Sequence, residues 1–220
     1  MLEEPKEPLC GVDEEMYIPA RAEEYFSSRH SRIEFISFEH RVASLAWLRS
    51  KIEKGIDLEL SELRAIRATG THRGKGWEAE SDEALDESVF MLDSDIRQIS
   101  AGVIIVAAVA ALESLMNQML DQPGDDDLHR AGLTRKAREL ATRWSDAVDA
   151  AVLEEDVVWL RERRNSFAHR LIDDVDIQWR GSVPDWDFDG ATADEALVRV
   201  GEIASMLEEG WEQALLSAGR

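Results

Sequence analysis

A chain of 220 residues, 44% apolar and 32% charged, can bury one substantial core, and its single cysteine, Cys10, excludes a disulfide framework and a cysteine-built metal site. A formal net charge of −21 argues against a general nucleic-acid-binding surface, because most of the exterior repels phosphate. Met1 to Glu15 is acidic with no signal-like apolar stretch, and the longest apolar run, Ala101 to Leu112, is short for a bilayer. A cytoplasmic protein with no membrane partner is the expectation.

Residues 1–18 read as a mobile acidic arm, and residues 19–220 as a single all-α domain. A helical pattern opens near Pro19, shows a broad face of Ile33, Phe35, Ile36, Phe38, Val42, Leu45, Ala46 and Ile52, and is stopped by Gly55. A shorter helix, Leu58 to Ala68, precedes the glycine-rich stretch Thr69–Trp77. That stretch lacks the spacing of a phosphate-binding loop and reads as a mobile connection. The next helix spans about Ser81 to Leu120, and its second half, Val103 to Leu112, is apolar all round. Such a helix is expected to be the buried central column of a bundle, with Asp125, Asp126 and Asp127 in a solvated loop beyond it. A fourth helix covers about Leu133 to Ala150, and a fifth Val157 to Val175. After an irregular stretch, Thr192-Ala193-Asp194-Glu195 forms a capping box that opens a last helix to Ser217.

Chemistry concentrates on the fifth helix. Val157, Leu160, Phe167, Ala168, Leu171 and Val175 share one apolar stripe, with Arg164 inside it where leucine would be ordinary. Arg161, Asn165 and His169 recur every four residues along its edge. A guanidinium on a core-facing seam is costly unless it is paired or faces a cleft. Glu113, stranded at the end of the apolar run, is a candidate partner, and pairing is compatible with either a structural or a chemical role. Residues 128–170 carry 9 Lys/Arg against 7 Asp/Glu, so this helix lies in the most basic part of an acidic chain.

Other motifs point nowhere sharper. His30, His40, His72 and His129 have no companions at metal-ligand spacing and read as surface or capping histidines, so neither metal nor cofactor is expected. Asp185-Trp186-Asp187-Phe188-Asp189-Gly190 copies half a calcium loop, but position 196, where the bidentate glutamate belongs, is alanine.

The run Arg164-Asn165-Ser166-Phe167-Ala168-His169 resembles the Arg–polar–x–x–x–His signature of the HEPN superfamily. A long apolar helix ending Ala-Leu-Glu-Ser-Leu-Met-Asn precedes it, as in many members. A competing Arg67 to His72 match crosses Gly70 and is no helix face. The resemblance covers about residues 85–175. It implies a HEPN-like core of up-down helices, with the N-terminal and C-terminal helices as additions. It also implies a metal-independent endoribonuclease, of toxin or phage-defence type, leaving 2′,3′-cyclic phosphate and 5′-hydroxyl ends. In that reading His169 is the general acid/base, Arg164 the phosphate ligand and Asn165 the positioning group. Arg161, Arg163 and Arg170 add substrate-binding charge. The partners implied are single-stranded or looped RNA, a second copy of the chain and an antitoxin or regulatory protein. Arg164 and His169 lie about 140° apart on a helix and cannot both point at one atom from a flat surface, though they could flank a groove; the resemblance implies that this groove is built between two protomers. A catalytically inactive interaction module, or a nucleotide-binding one, is the alternative, and the net charge favours it.

Overall fold

The computed structural model describes residues 18–26, 30–121, 123–144, 148–170 and 188–218, without the side chains of residues 20, 23, 169, 170 and 218. The expected acidic arm, except Ile18, and the stretch carrying Leu171, Val175, Trp179 and Trp186 lie outside the described residues. The described residues form an all-α bundle without a strand.

Ile18–Glu24 is a 3-10 turn, and the first long helix, α1, begins only at Ile33 and runs to Thr69. Gly55 does not stop it. Glycine inside a helix costs about 1 kcal/mol, and burial of Ile56 and Leu60 just beyond offsets that cost. The real stop is Gly70, whose φ of 68° places it in the left-handed region while its N–H donates to the Ile66 carbonyl.

Helix α2 (Glu78–Met91), a π turn (Leu92–Ile96) and α3 (Arg97–Met119) form one continuous 42-residue helix. Among the described residues it is the one helix long and apolar enough to cross a membrane. That widens the expectation drawn from Ala101–Leu112 alone. Half of its most apolar window is buried within the bundle, as a soluble core helix also has it.

A short helix, α4 (Asp126–His129), stands where a solvated loop was expected. Asp125 ahead of it is buried and accepts two hydrogen bonds from Arg143, at 2.5 and 2.9 Å. Then follow α5 (Leu133–Arg143), α6 (Ala150–Arg170) and α7 (Gly190–Ala218). Helix α5 ends well before Ala150, and α6 starts there because Asp149 accepts the free amides of Ala151 and Val152. At the head of α7 the capping residue is Asp189 rather than Thr192. Its carboxylate takes the Thr192 amide at 2.7 Å and the Thr192 hydroxyl at 2.8 Å, while Glu195 turns to Arg199. The amide bond holds the Asp189 carboxyl below its ordinary pKa.

Three helix pairs run antiparallel: α1 with α2, α5 with α6, and α6 with α7. Arg67 meets Asp86 while Arg64 meets Asp93 across α1 and α2. Thr134–Arg161 and Arg138–Glu154 order α5 against α6; Asp156–Arg199 and Phe167–Phe188 order α6 against α7. Helices α7 and α1 close the bundle. Glu208 accepts the backbone amides of Ser31 and Arg32, each at 3.0 Å, and pairs with His30. His30 is therefore buried, not a surface histidine. His129 does cap: its Nε2 donates to the Leu120 carbonyl just past α3, at 2.6 Å.

The expectation that α3 is buried on every side fails. Ala101, Ile104, Ile105, Ala108, Val109, Leu112 and Met116 are buried, but Ile96, Ile99 and Val103 are 40%, 44% and 48% exposed. On a helix of 3.6 residues per turn the open arc lies between two occupied sides. One, through Gly102 and Glu113, meets α6; the other, through Arg97, meets α1.

Candidate functional site

Val157, Leu160 and Phe167 carry α6 into the core, whereas Ala168, expected on the same stripe, is exposed. The crossing point with α3 is set by glycine. A Cβ on Gly102 would lie 2.1 Å from the Phe167 ring, so only glycine lets the ring lie directly on the α3 backbone. That contact fixes the height of everything else on α6.

Arg164 sits one turn before Phe167. Side chains lean toward the N-terminus of their own helix, so on these antiparallel helices Arg164 and Glu113 lean toward each other. Arg164 Nη1 donates to Glu113 Oε1 at 2.8 Å, and the two side chains remain 28% and 25% exposed. The pair is thus half-sunk, not sealed in the core. Nε and Nη2 face the Asn165 side-chain Oδ1 at 3.4 and 3.5 Å, long for hydrogen bonds but enough to align the amide with the guanidinium. Asn165 itself is exposed.

The other predicted cations go separate ways. Arg161 stays near the same ridge, its Nη1 donating to the Thr134 hydroxyl at 3.3 Å and its Nη2 3.7 Å from Glu162. Arg163 turns instead onto the Trp159 ring, 3.5 Å from its centroid, and burial lowers its guanidinium pKa. Arg199 of α7 approaches the same ring at 4.8 Å and is itself held by Asp156 and Glu195. Arg163 and Arg164 therefore serve different faces of one helix. The backbones of His169 and Arg170 complete the last turn of α6, and their side chains lie outside the described residues.

Trp159, Thr134 and Gly102 were not among the predicted site residues. Trp159 was readable, because it precedes Arg163 by four residues and so lies beneath it on a helix. Thr134 and Gly102 act from other helices, and nothing local in the sequence marks them.

Of the clefts that lie away from this ridge, two run between different elements. One of about 940 Å³ is lined by Tyr25, Arg49, Lys54, Arg97, Asp189 and Asp194; the other, about 520 Å³, lies between α5 and α6 around Thr134, Arg138, Leu153 and Glu154. Neither takes in Arg164 or Asn165. Among the described residues no three His, Cys, Asp or Glu side chains gather as a metal site.

What the ridge offers chemically is a planar cation with a fixed heading, an amide beside it, and an edge open to water. A guanidinium has five N–H donors in a rigid fork, and one carboxylate contact leaves donors for a phosphate. No family model, curated protein or solved structure matches the chain.

Proposed function

We propose that this chain is a metal-independent endoribonuclease of HEPN type, acting as a homodimer within a toxin or phage-defence system. The observation that carries the reading is the Arg164 guanidinium, pinned by Glu113 at 2.8 Å yet more than a quarter exposed beside Asn165.

In this mechanism a histidine removes the 2′-hydroxyl proton and the O2′–P bond forms. The P–O5′ bond then breaks as the leaving oxygen takes a proton from the protonated histidine of the second copy. Histidine suits both steps because its ordinary pKa lies near neutrality. Arg164 binds the phosphate and stabilises the charge that builds on its oxygens. Asn165 orients sugar or phosphate through its amide. Arg161, on the same ridge, and Arg170 steer the strand, and an antitoxin or regulatory protein would shield the ridge.

The direct experiment compares single-stranded RNA cleavage by the wild-type chain, His169→Ala and Arg164→Ala, with EDTA present to silence metal nucleases. Loss of cleavage in both variants with unchanged helicity is the expected result. Undiminished cleavage by His169→Ala overturns it.

One observation favours a second reading. Glu113 already neutralises Arg164, and the chain carries a net charge of −21, so the same ridge serves a non-catalytic interaction or nucleotide-binding module. An inert protein that is thermally stabilised by a nucleotide through Arg164 would decide for that alternative.

A further inference from the structure

The cleft of about 520 Å³ between α5 and α6 exists because small side chains meet there. Where the two helices face each other, Ala137 and Ala141 of α5 and Ala150 of α6 stand at positions a leucine would fill. Leu153 and Val157, both fully buried, form the wall behind them. The result is an aliphatic slot of the size that encloses a small organic ligand.

Polar groups reach the slot from two places. At its rim Arg138 Nε and Nη2 both donate to the same oxygen of Glu154, Oε1, the first at 3.2 Å. A guanidinium has five N–H donors and a carboxylate about four lone-pair positions, so this contact leaves both groups with capacity. Toward the ridge the slot ends at Thr134, whose hydroxyl accepts Arg161 Nη1 at 3.3 Å. Arg161 precedes Arg164 by one turn of α6. A phosphate held by these two arginines therefore has the slot within reach of a neighbouring base.

We infer that this slot takes a guanine base, belonging to the RNA strand or the free nucleotide whose phosphate lies at Arg161 and Arg164. The rim selects it. Its one cation and one carboxylate cancel, so a charged head group gains from one and is repelled by the other. A neutral planar ring avoids that conflict, and the aliphatic walls receive its faces. Guanine's edge presents two adjacent donors, N1–H and N2–H, beside the O6 acceptor. The Glu154 carboxylate suits the two donors, and Arg138 suits O6. Adenine puts an amine where O6 would be and a bare nitrogen where N1–H would be, so it meets donor with donor and lone pair with lone pair. Cytosine shows the same mismatch, and uracil offers a single N–H. The guanine preference stands on the slot and its rim; that the base belongs to a strand being cut rests on the ribonuclease reading proposed above.

Calorimetric titration of the full chain with 5′-GMP, AMP, CMP and UMP tests it. GMP is expected to bind about 10-fold more tightly than the other three, the scale of one well-matched base edge. Glu154→Gln should reverse that preference toward AMP, because the amide still accepts from Arg138 but offers a donor in place of the second acceptor, the pattern that adenine's edge matches. A carboxylate that merely ties α5 to α6 predicts no such exchange. Ala150→Trp, at an exposed position lining the slot, should weaken GMP binding with helicity unchanged. Sequencing the ends left on a random-sequence RNA separates the two sources of the base. Guanine enriched at one fixed position beside the cut, and no longer enriched with Glu154→Gln, places the base in the strand. Selective GMP binding with no RNA cleavage keeps the guanine slot, makes a free nucleotide its ligand and removes the ribonuclease. Equal affinity for the four monophosphates, no binding tighter than about 5 mM, or a GMP preference that survives Glu154→Gln overturns the inference. RNA cut at unbiased positions in that case leaves the catalytic assignment standing.

Discussion

Arg97 and Arg164 both bind at the surface of α3, and they are placed very differently. Arg97 meets Glu53 at 2.7 Å, Asp57 at 2.5 Å and Asp93 at 3.1 Å, so one cation is outnumbered by three carboxylates. Those contacts keep its guanidinium charged, raising its pKa despite some burial. Among the described residues Arg164 has a single carboxylate, Glu113, and a neutral amide. The first is a saturated strut joining α1 to the head of α3, and any anion approaching it meets net negative charge. The second is held in place with donors to spare. Pairing alone therefore does not separate a structural arginine from a chemical one; the surplus or deficit of neighbouring charge does.

Four substitutions press on that contrast. The largest effect belongs to Gly102→Leu, which forces the Phe167 ring off the α3 backbone and should cost about 3 kcal/mol in chemical denaturation. Combining it with Phe167→Ala should recover part of the loss, since one cavity then receives the other's atoms. If Gly102→Leu is silent, the ring does not set the position of Arg164.

Next, Glu113→Ala frees Arg164 to wander. Under the proposed function, a fall in RNA cleavage of about 10-fold is expected, the usual scale for a residue that orients a functional group. The change in melting should be small, since a partly exposed pair contributes about 1 kcal/mol or less. Glu113→Gln, which can still accept the guanidinium's hydrogen bond, should retain most of the rate.

Asp189→Ala should cost about 1 kcal/mol by uncapping α7. Because the folded carboxyl titrates below its ordinary value of 3.8, its contribution is complete above that value and disappears as the pH falls through the lower folded one. Wild type and variant should therefore converge in stability in acid and differ at neutral pH; a constant gap would speak against the cap.

The smallest effect is expected at Arg97. Its removal unties exposed carboxylates, at a cost of about 0.5 kcal/mol that shrinks as salt rises. Neither RNA cleavage nor phosphate binding should respond. A response as large as at Arg164 would dissolve the distinction between the two arginines.

The helices were legible in the sequence wherever apolar periodicity and punctuation agreed, and so was the meeting of Arg164 with Glu113, since Arg164 interrupts an apolar stripe and Glu113 ends an apolar run. Gly55 misled because its propensity is local while the burial of Ile56 and Leu60 is tertiary. The capping-box spacing named Thr192 as the start of α7, whereas Asp189 three residues earlier takes that role, because a capable side chain does not by itself fix where the backbone turns helical. The apolar belt of α3 suggested burial on all sides, because composition reports that a face avoids water and not which chain covers it. Arg163 was expected to add substrate-binding charge with Arg161 and Arg170, yet it points about 100° away from Arg164 on the helix, and its guanidinium lies on Trp159.

The fastening of α1 to α7 bears on the order in which the molecule is made. His30 and Glu208 are separated by 178 positions, and the amides ahead of α1 find their acceptor only on the last helix. During synthesis the first long helix therefore emerges with its amino end untied, and it stays so until α7 has been made. A transcript truncated before Gly190 would release a chain in which the amides ahead of α1 lack the Glu208 carboxylate.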